Sequence, residues 1–296
     1  MAKKYINTDV VTDIVIDILL VFMTALALYP LWFVLIASFS KPSYIALGQV
    51  TIVPRGFTLN AYRRMLTNES IWLGYRNSLF YTFFGTLGNL ITTLPCAYAL
   101  SRPQLPGRKV FSFLFIFTMY FSGGLIPSYL LMTKLHLINT IWVLIIPTVS
   151  VFNLIIARSF FEGSIPEALF EATKIDGGSY TRFFFSVVLP LSKALIAVLT
   201  LFYALGHWNT YFNAMIYIQD PKKQTLQVII KGITANLDNT LSTNEMLDTK
   251  EYQRLFEEKQ LMKYSIVVVS IVPMLLLYPF IQRYFVGGIM IGAVKG

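Results

Sequence analysis

Long apolar runs alternate with short polar breaks along this chain, and the runs are too long to be strands. Residues 18–40, 77–101, 110–133, 135–157, 194–219 and 264–282 hold no Asp, Glu, Lys or Arg. A helix crosses a bilayer in roughly 20 apolar residues. The pattern therefore predicts an all-α polytopic membrane protein with six transmembrane helices, and an even number puts both termini on one side. Lys3 and Lys4 precede the first run. That run is longer than a signal-peptide core and no A-x-A site follows it, so it reads as a retained first span.

Between the fourth and fifth runs the pattern changes to a short amphipathic helix. Ser164 stands at N-cap position with Glu167 three residues on, which is capping-box spacing. Pro166 falls in the first turn, where its missing N–H is not needed. Ala168, Leu169, Ala172 and Ile175 give one apolar face, and Glu167, Glu171, Lys174 and Asp176 supply the charges. Gly177 and Gly178 end the helix where a left-handed C-cap is expected. A second amphipathic run starts at Tyr180 and leads to Leu189-Pro190.

This stretch resembles the EAA loop of the permease subunits of ABC importers. The family pattern is E-A-A, then D-G-A, then a closing L-P. It appears here as Glu171-Ala172-Thr173, Asp176-Gly177-Gly178 and Leu189-Pro190. Thr173 and Gly178 depart from it, and both are small. The likeness continues in VTIVPRGFTLNAYRRML (50–66), in NSLF (77–80), in AYALSRPQLPGRKV (97–110) and in the Leu137-Ile138-Asn139-Thr140 turn. The final run, QRYFVGGIMIGAVKG (282–296), is similar to the carbohydrate branch, which includes polysaccharide importers such as alginate permeases. The resemblance implies a MetI-like permease fold with an N-terminal span and outer loop over 1–76 and a permease core over 77–296. It makes the 165–178 helix a cytoplasmic coupling helix seated in an ATPase groove. Glu167, Glu171, Ala172, Thr173, Asp176, Gly177 and Gly178 are then the ATPase-coupling residues.

The segment GHWNTYFNAMIYIQD holds a second candidate site. Trp208, Asn209, Tyr211, Phe212 and Asn213 are unusually polar and aromatic for a membrane helix, and Asn209 and Asn213, four apart, would share a face. Aromatic faces suit sugar C–H surfaces and amides suit hydroxyls, and the carbohydrate branch has a similar W-N-x-x-F segment. These residues are the candidate substrate path. They equally suit helix packing and an interfacial aromatic belt. The polar segment 220–263 fits docking of a solute-binding protein, and fits equally a solvated extension of the sixth span.

Composition narrows the function. The chain has 296 residues, 55% hydrophobic and 13% charged, which is too apolar for a soluble domain. Its net charge of +9 suits anionic lipid headgroups. No basic patch stands apart from the spans, which argues against a nucleic-acid partner. The lone Cys96 lies in an apolar run and is a packing residue. His136 and His207 are far apart, so no metal site is expected. No G-x-x-x-x-G-K-[ST] and no G-x-S-x-G occurs. The chain is therefore expected to be a non-catalytic transport subunit without a cofactor, with ATP bound and hydrolysed by partner subunits.

The expected partners are a second homologous permease, two ATP-binding cassette ATPases, an extracellular solute-binding protein, membrane lipid and a glycan substrate. The basic turn at Arg102, Arg108 and Lys109 and the coupling-loop likeness put both termini on the cytoplasmic side of a bacterial inner membrane. A stand-alone secondary transporter is the alternative. It would carry inverted repeats and ionisable residues within the spans, and the sequence has neither.

Overall fold

The computed structural model describes residues 8–146, 148–243 and 249–293. Lys3, Lys4, Pro147, Lys295 and the last three residues of the carboxyl-terminal motif lie outside them. Among the described residues all regular structure is helical. α1 (Thr8–Ser38), α2 (Pro42–Ala46), α3 (Asn60–Thr67) and α4 (Glu69–Ser101) come first. α5 (Arg108–Tyr120), α6 (Leu125–Lys134), α7 (Trp142–Ile145), α8 (Val151–Ser164) and α9 (Glu167–Ile175) follow. α10 (Tyr180–Phe183) runs through a π-helical turn, Phe184–Val188, into α11 (Leu189–Leu191). The chain then forms α12 (Lys193–Trp208), α13 (Phe212–Tyr217), α14 (Leu226–Thr243) and α15 (Thr249–Ala293).

Among the described residues three helical segments are long and apolar enough to cross a membrane: Thr12–Ser38, Glu69–Ser101 and Leu255–Pro279. Two bent pairs raise the number to at most five, against the six expected from the charge-free runs. The first pair, α5 and α6, bends by 113° at the Ser122-Gly123-Gly124 break. The second bends by 81° between Leu191 and Lys193, where Pro190 withholds an amide donor. The difference from six lies in 135–157, which is not one helix. His136 and Asn139 take left-handed φ of 55° and 59°, α7 is a single turn, and Ser150 starts α8 afresh by accepting from the Asn153 amide.

The chain divides into two compact units. The first comprises 1–69 and 230–272. Its loop after α1 folds around Phe39, which stacks on Phe57 and Tyr62 with ring centroids 5.8 and 5.0 Å apart. Ser38 hydrogen-bonds Tyr62, and the Trp32 indole donates to the Ile52 carbonyl. Burial pushes the Tyr62 phenol above its ordinary value, opposed in part by the Ser38 hydrogen bond. The charged run EYQRLFEEKQLMKY continues into the apolar helix without a break, because α15 starts at Thr249.

The second unit comprises 70–229 and 273–296. Its core is built on α4. Leu94, Ala97 and Tyr98 pack with Leu154 and Phe161 of α8, Phe170 of α9, Phe183 and Leu199. One face of α4 is polar as well as buried, with Ser78, Thr82, Thr86, Asn89 and Thr93 in sequence along it. α4 starts at Glu69, well before the Asn77 expected from the charge-free run. The helix extends because Asn77 and Ser78 are interior positions: Asn77 donates to the carbonyls of Lys222 and Gln224, and Ser78 accepts from the Leu226 amide.

Candidate functional site

α9 is held by α4 and by the turn that follows it. Arg102, just past the end of α4, keeps only 7% of its side chain exposed. Its guanidinium lies 4.9 Å from the Tyr98 ring centroid and 5.7 Å from that of Phe183. It donates to Glu167 Oε2 at 2.9 Å, and Gln104 donates to Glu167 Oε1 at 3.2 Å. Glu167 is 44% exposed, so the pair sits between a surface ion pair and a buried one. The Ser164/Glu167 capping box does not form. Ser164 is the last residue of α8, Pro166 is the N-cap of α9, and the Glu167 carboxylate is occupied by Arg102 and Gln104.

The apolar face of α9 points away from the core. Phe170 is the residue that α9 buries, stacked on Tyr180 at 4.5 Å and edge-on to Phe183 at 5.4 Å. Ala168, Leu169 and Ala172 are exposed, and Ile175 is 86% exposed. Glu171 is also exposed and has no ion pair among the described residues. The sequence-predicted apolar face is thus real in its residues but is left exposed rather than turned into the core.

The C-terminus closes as expected. Asp176 is the C-cap, and its amide donates to the Ala172 carbonyl at 3.1 Å. Gly177 has φ 74°, and its amide donates to Lys174. The two departures from the family pattern touch each other. The Gly178 amide donates to the Thr173 carbonyl at 2.8 Å. A Cβ on Gly178 would lie 2.5 Å from Thr173 Cγ2 and 2.9 Å from the Thr173 carbonyl oxygen.

A second clamp lies beside α9. Glu162 of α8 accepts from both Arg108 and Arg158, the latter at 2.9 Å. Arg158 also donates to the Ser112 hydroxyl, and Arg108 to the Leu100 carbonyl. The basic turn is therefore bonded to α8 and α9 by two separate carboxylates. Periodicity gives no sign of this, because such partners meet only after the helices have packed.

The aromatic cluster is split by a helix break. α12 ends at Trp208, Asn209 is its C-cap, and α13 begins at Phe212. Asn209 and Asn213 therefore do not share a helical face. Trp208 is 1% exposed, with its ring 6.0 Å from that of Tyr75 on α4. Asn209, Phe212 and Asn213 are exposed and Tyr211 is half-buried. One residue earlier, His207 faces Asn89 at 3.3 Å and lies so close to α4 that a Cβ on Gly85 would fall 2.4 Å from its ring. Tyr203 bonds Thr93 at 2.7 Å, so α12 and α4 share a polar seam.

Asn139 is the functional-looking residue that the cluster conceals. Its Oδ1 accepts from the amides of Gln219 and Asp220, its amide donates to the Tyr217 carbonyl, and its carbonyl accepts from Lys223. Tyr81 donates to the Lys223 carbonyl at 2.7 Å. The 137–140 turn and α4 together fix the loop after α13. The unusual Leu-Ile-Asn-Thr turn was the one signal of it in the sequence. Among the described residues no group of His, Cys, Asp and Glu could hold a metal ion.

Residues 70–290 match the family of the binding-protein-dependent transport system inner membrane component. The polygalacturonan/rhamnogalacturonan transport system permease protein YtcP of Bacillus subtilis is 37% identical over 96% of this chain and 98% of its own. Protein LplC of the same organism is 37% identical over 92% of this chain and 90% of its own. The crystal structure of a bacterial ABC transporter involved in the import of the acidic polysaccharide alginate contains a chain that is 32% identical. The two folds agree with a TM-score of 0.79 over 96% of this chain and 100% of that one.

Proposed function

The chain belongs to the binding-protein-dependent transport system inner membrane component family, and from that premise we propose that it forms half of the translocation path of an ATP-driven glycan importer. The observation that carries the coupling role is α9. It is anchored inward through Phe170 and Glu167 and offers Leu169, Ala172, Ile175 and Glu171 outward. An ATPase stroke moves membrane helices only through a stiff connection. Arg102 supplies one, since it joins α9 to the end of α4 and to Phe183. Burying Ile175 in a partner groove would contribute roughly 1.5–3 kcal/mol.

In this reading α9 is the cytoplasmic coupling helix, the chain makes six spans of a bacterial inner membrane, and both termini are cytoplasmic. A second permease, two ATPase copies and an extracellular solute-binding protein complete the complex. The ATPases bind and hydrolyse ATP. The exposed side chains at the α12–α13 break, Asn209, Phe212 and Asn213, line the path together with the half-buried Tyr211, with Trp208 as their buried support. The substrate is an oligosaccharide or polysaccharide, as the names of the relatives suggest. A stand-alone secondary transporter gains no support from the family match.

The test is uptake into proteoliposomes holding the whole complex, with ATP inside and glycan-loaded binding protein outside. Accumulation should require ATP and the binding protein together. Glycan uptake by this chain alone, driven by an ion gradient, would overturn the proposal.

A further inference from the structure

Three cations converge on one groove between α5 and α8. Arg108 and Lys109 open α5, and Arg158 reaches in from α8. Ser112 stands among them, Phe113 and Ile116 form an apolar wall, and the groove encloses about 740 Å³. Glu162 is the one carboxylate bonded to these cations among the described residues, shared by Arg108 and Arg158. Lys109 is exposed and forms no ion pair among the described residues. Three cations against one carboxylate leave the groove with excess positive charge. The bonds from Arg158 to Ser112 and from Arg108 to the Leu100 carbonyl fix both guanidinium groups in place.

Past Ser112, α5 is largely apolar and exposed, with Phe115 packed against the core. No residue of α5 is buried, and Phe113, Leu114, Ile116 and Phe117 are all exposed. Charge is thus confined to the start of a helix whose remaining surface suits hydrocarbon. That is the profile of the boundary between headgroups and acyl chains. A soluble anion would use the cations and leave the apolar wall idle.

We propose that this groove binds an anionic phospholipid, with its phosphate between Arg108, Lys109 and Arg158 and an acyl chain along Phe113 and Ile116. The inference rests on the reading of α5 as membrane-inserted, and on nothing about α9 or the glycan. The bound lipid would hold the start of α5 against α8, next to the turn that bonds α9. It gives the complex a dependence on membrane composition.

Two measurements on the purified complex test this. Native mass spectrometry should show an anionic phospholipid retained through purification. In nanodiscs, the complex should unfold at a higher temperature with phosphatidylglycerol present than in phosphatidylcholine alone. Lys109→Gln should weaken retention about fivefold, the worth of one interfacial charge, and Lys109→Arg should restore it. Arg158→Gln also removes the Ser112 and Glu162 bonds, so Lys109 is the decisive site. Equal unfolding in both lipids with no retained anionic lipid would overturn the proposal. So would equal stabilisation by inorganic phosphate in phosphatidylcholine, which would make the groove a site for soluble anions. If Lys109→Gln releases the ATPase while lipid retention is unchanged, the groove is a protein interface and the lipid assignment is wrong. Glycan uptake, measured in parallel, reports separately on the transport function.

Discussion

At Gly177 the strain of any substitution lies in the backbone. Its φ is 74°, and an added Cβ meets nothing within 4 Å. Gly177→Val should therefore cost about 1–2 kcal/mol through the left-handed conformation alone, read as a lowered unfolding temperature of the solubilised chain. Gly177→Asn should cost less, since Asn tolerates that region. Gly178 is the opposite case. Its Cβ position is filled by Thr173 Cγ2, so Gly178→Ala should destabilise the wild-type chain more than it destabilises a Thr173→Ala background. Contacting residues couple by roughly 0.5–3 kcal/mol, and strict additivity in the cycle would show that Thr173 yields freely. Trp208 and Asn209 also separate at this scale. Trp208→Ala should lose about 3–5 kcal/mol as a buried aromatic, so lowered transport in it reports on folding. Asn209→Ala, at an exposed cap, should assemble normally and lower transport if the break lines the path. Normal uptake in that variant would count against the path assignment.

At the scale of elements, the link between α4 and α9 is one ion pair with two aromatic supports. Arg102→Ala and Glu167→Ala should each lower stability, and their effects should not add, with about 1 kcal/mol of coupling for a half-buried pair. Arg102→Lys should not rescue, because an ammonium group lacks the planar face that lies over Tyr98 and Phe183 while one nitrogen bonds Glu167. Additive losses in a thermal-unfolding cycle would break the link. The packing of α12 on α4 has a similar test at Gly85. Gly85→Ala should destabilise by about 1–3 kcal/mol through overpacking against His207, and His207→Ala in the same chain should recover part of the loss. These links explain what the sequence concealed. Glu167 has capping-box spacing from Ser164, yet its carboxylate bonds an arginine 65 residues earlier in the chain. Local spacing cannot weigh a competing partner that only folding delivers. The apolar stripe of α9 was legible, but Phe170, lying outside it, is the residue buried.

At the scale of the whole chain, the charge-free runs identified an all-helical membrane protein, because a long uncharged stretch has few other uses. They located the ends of the spans less well than their existence. α4 reaches back to Glu69 because Asn77 and Ser78 find carbonyl and amide partners in the 222–226 loop. Hydropathy also overstated straightness. The third, fourth and fifth runs break at the Ser122-Gly123-Gly124 stretch, around Asn139, and after Trp208, where turn residues satisfy the backbone in ways an average over a window does not register. The α9 helix and its glycine turn were the most legible feature, since their residues are contiguous. The Arg108–Glu162–Arg158 clamp and the Asn139 clamp were not, because their members are scattered through the chain. The proposed transport cycle depends on α9 acting as the element that joins the ATPase to the spans. The most direct measurement is made on complexes carrying Glu171→Ala or Ile175→Asp, both outward positions on α9. Two quantities are followed: co-purification of the ATPase, and hydrolysis stimulated by substrate-loaded binding protein. The coupling role of α9 predicts a chain that inserts and unfolds as wild type, with the ATPase either lost or hydrolysing without response to the loaded binding protein. Wild-type retention and wild-type stimulation in both variants would contradict it and leave α9 a solvated connector.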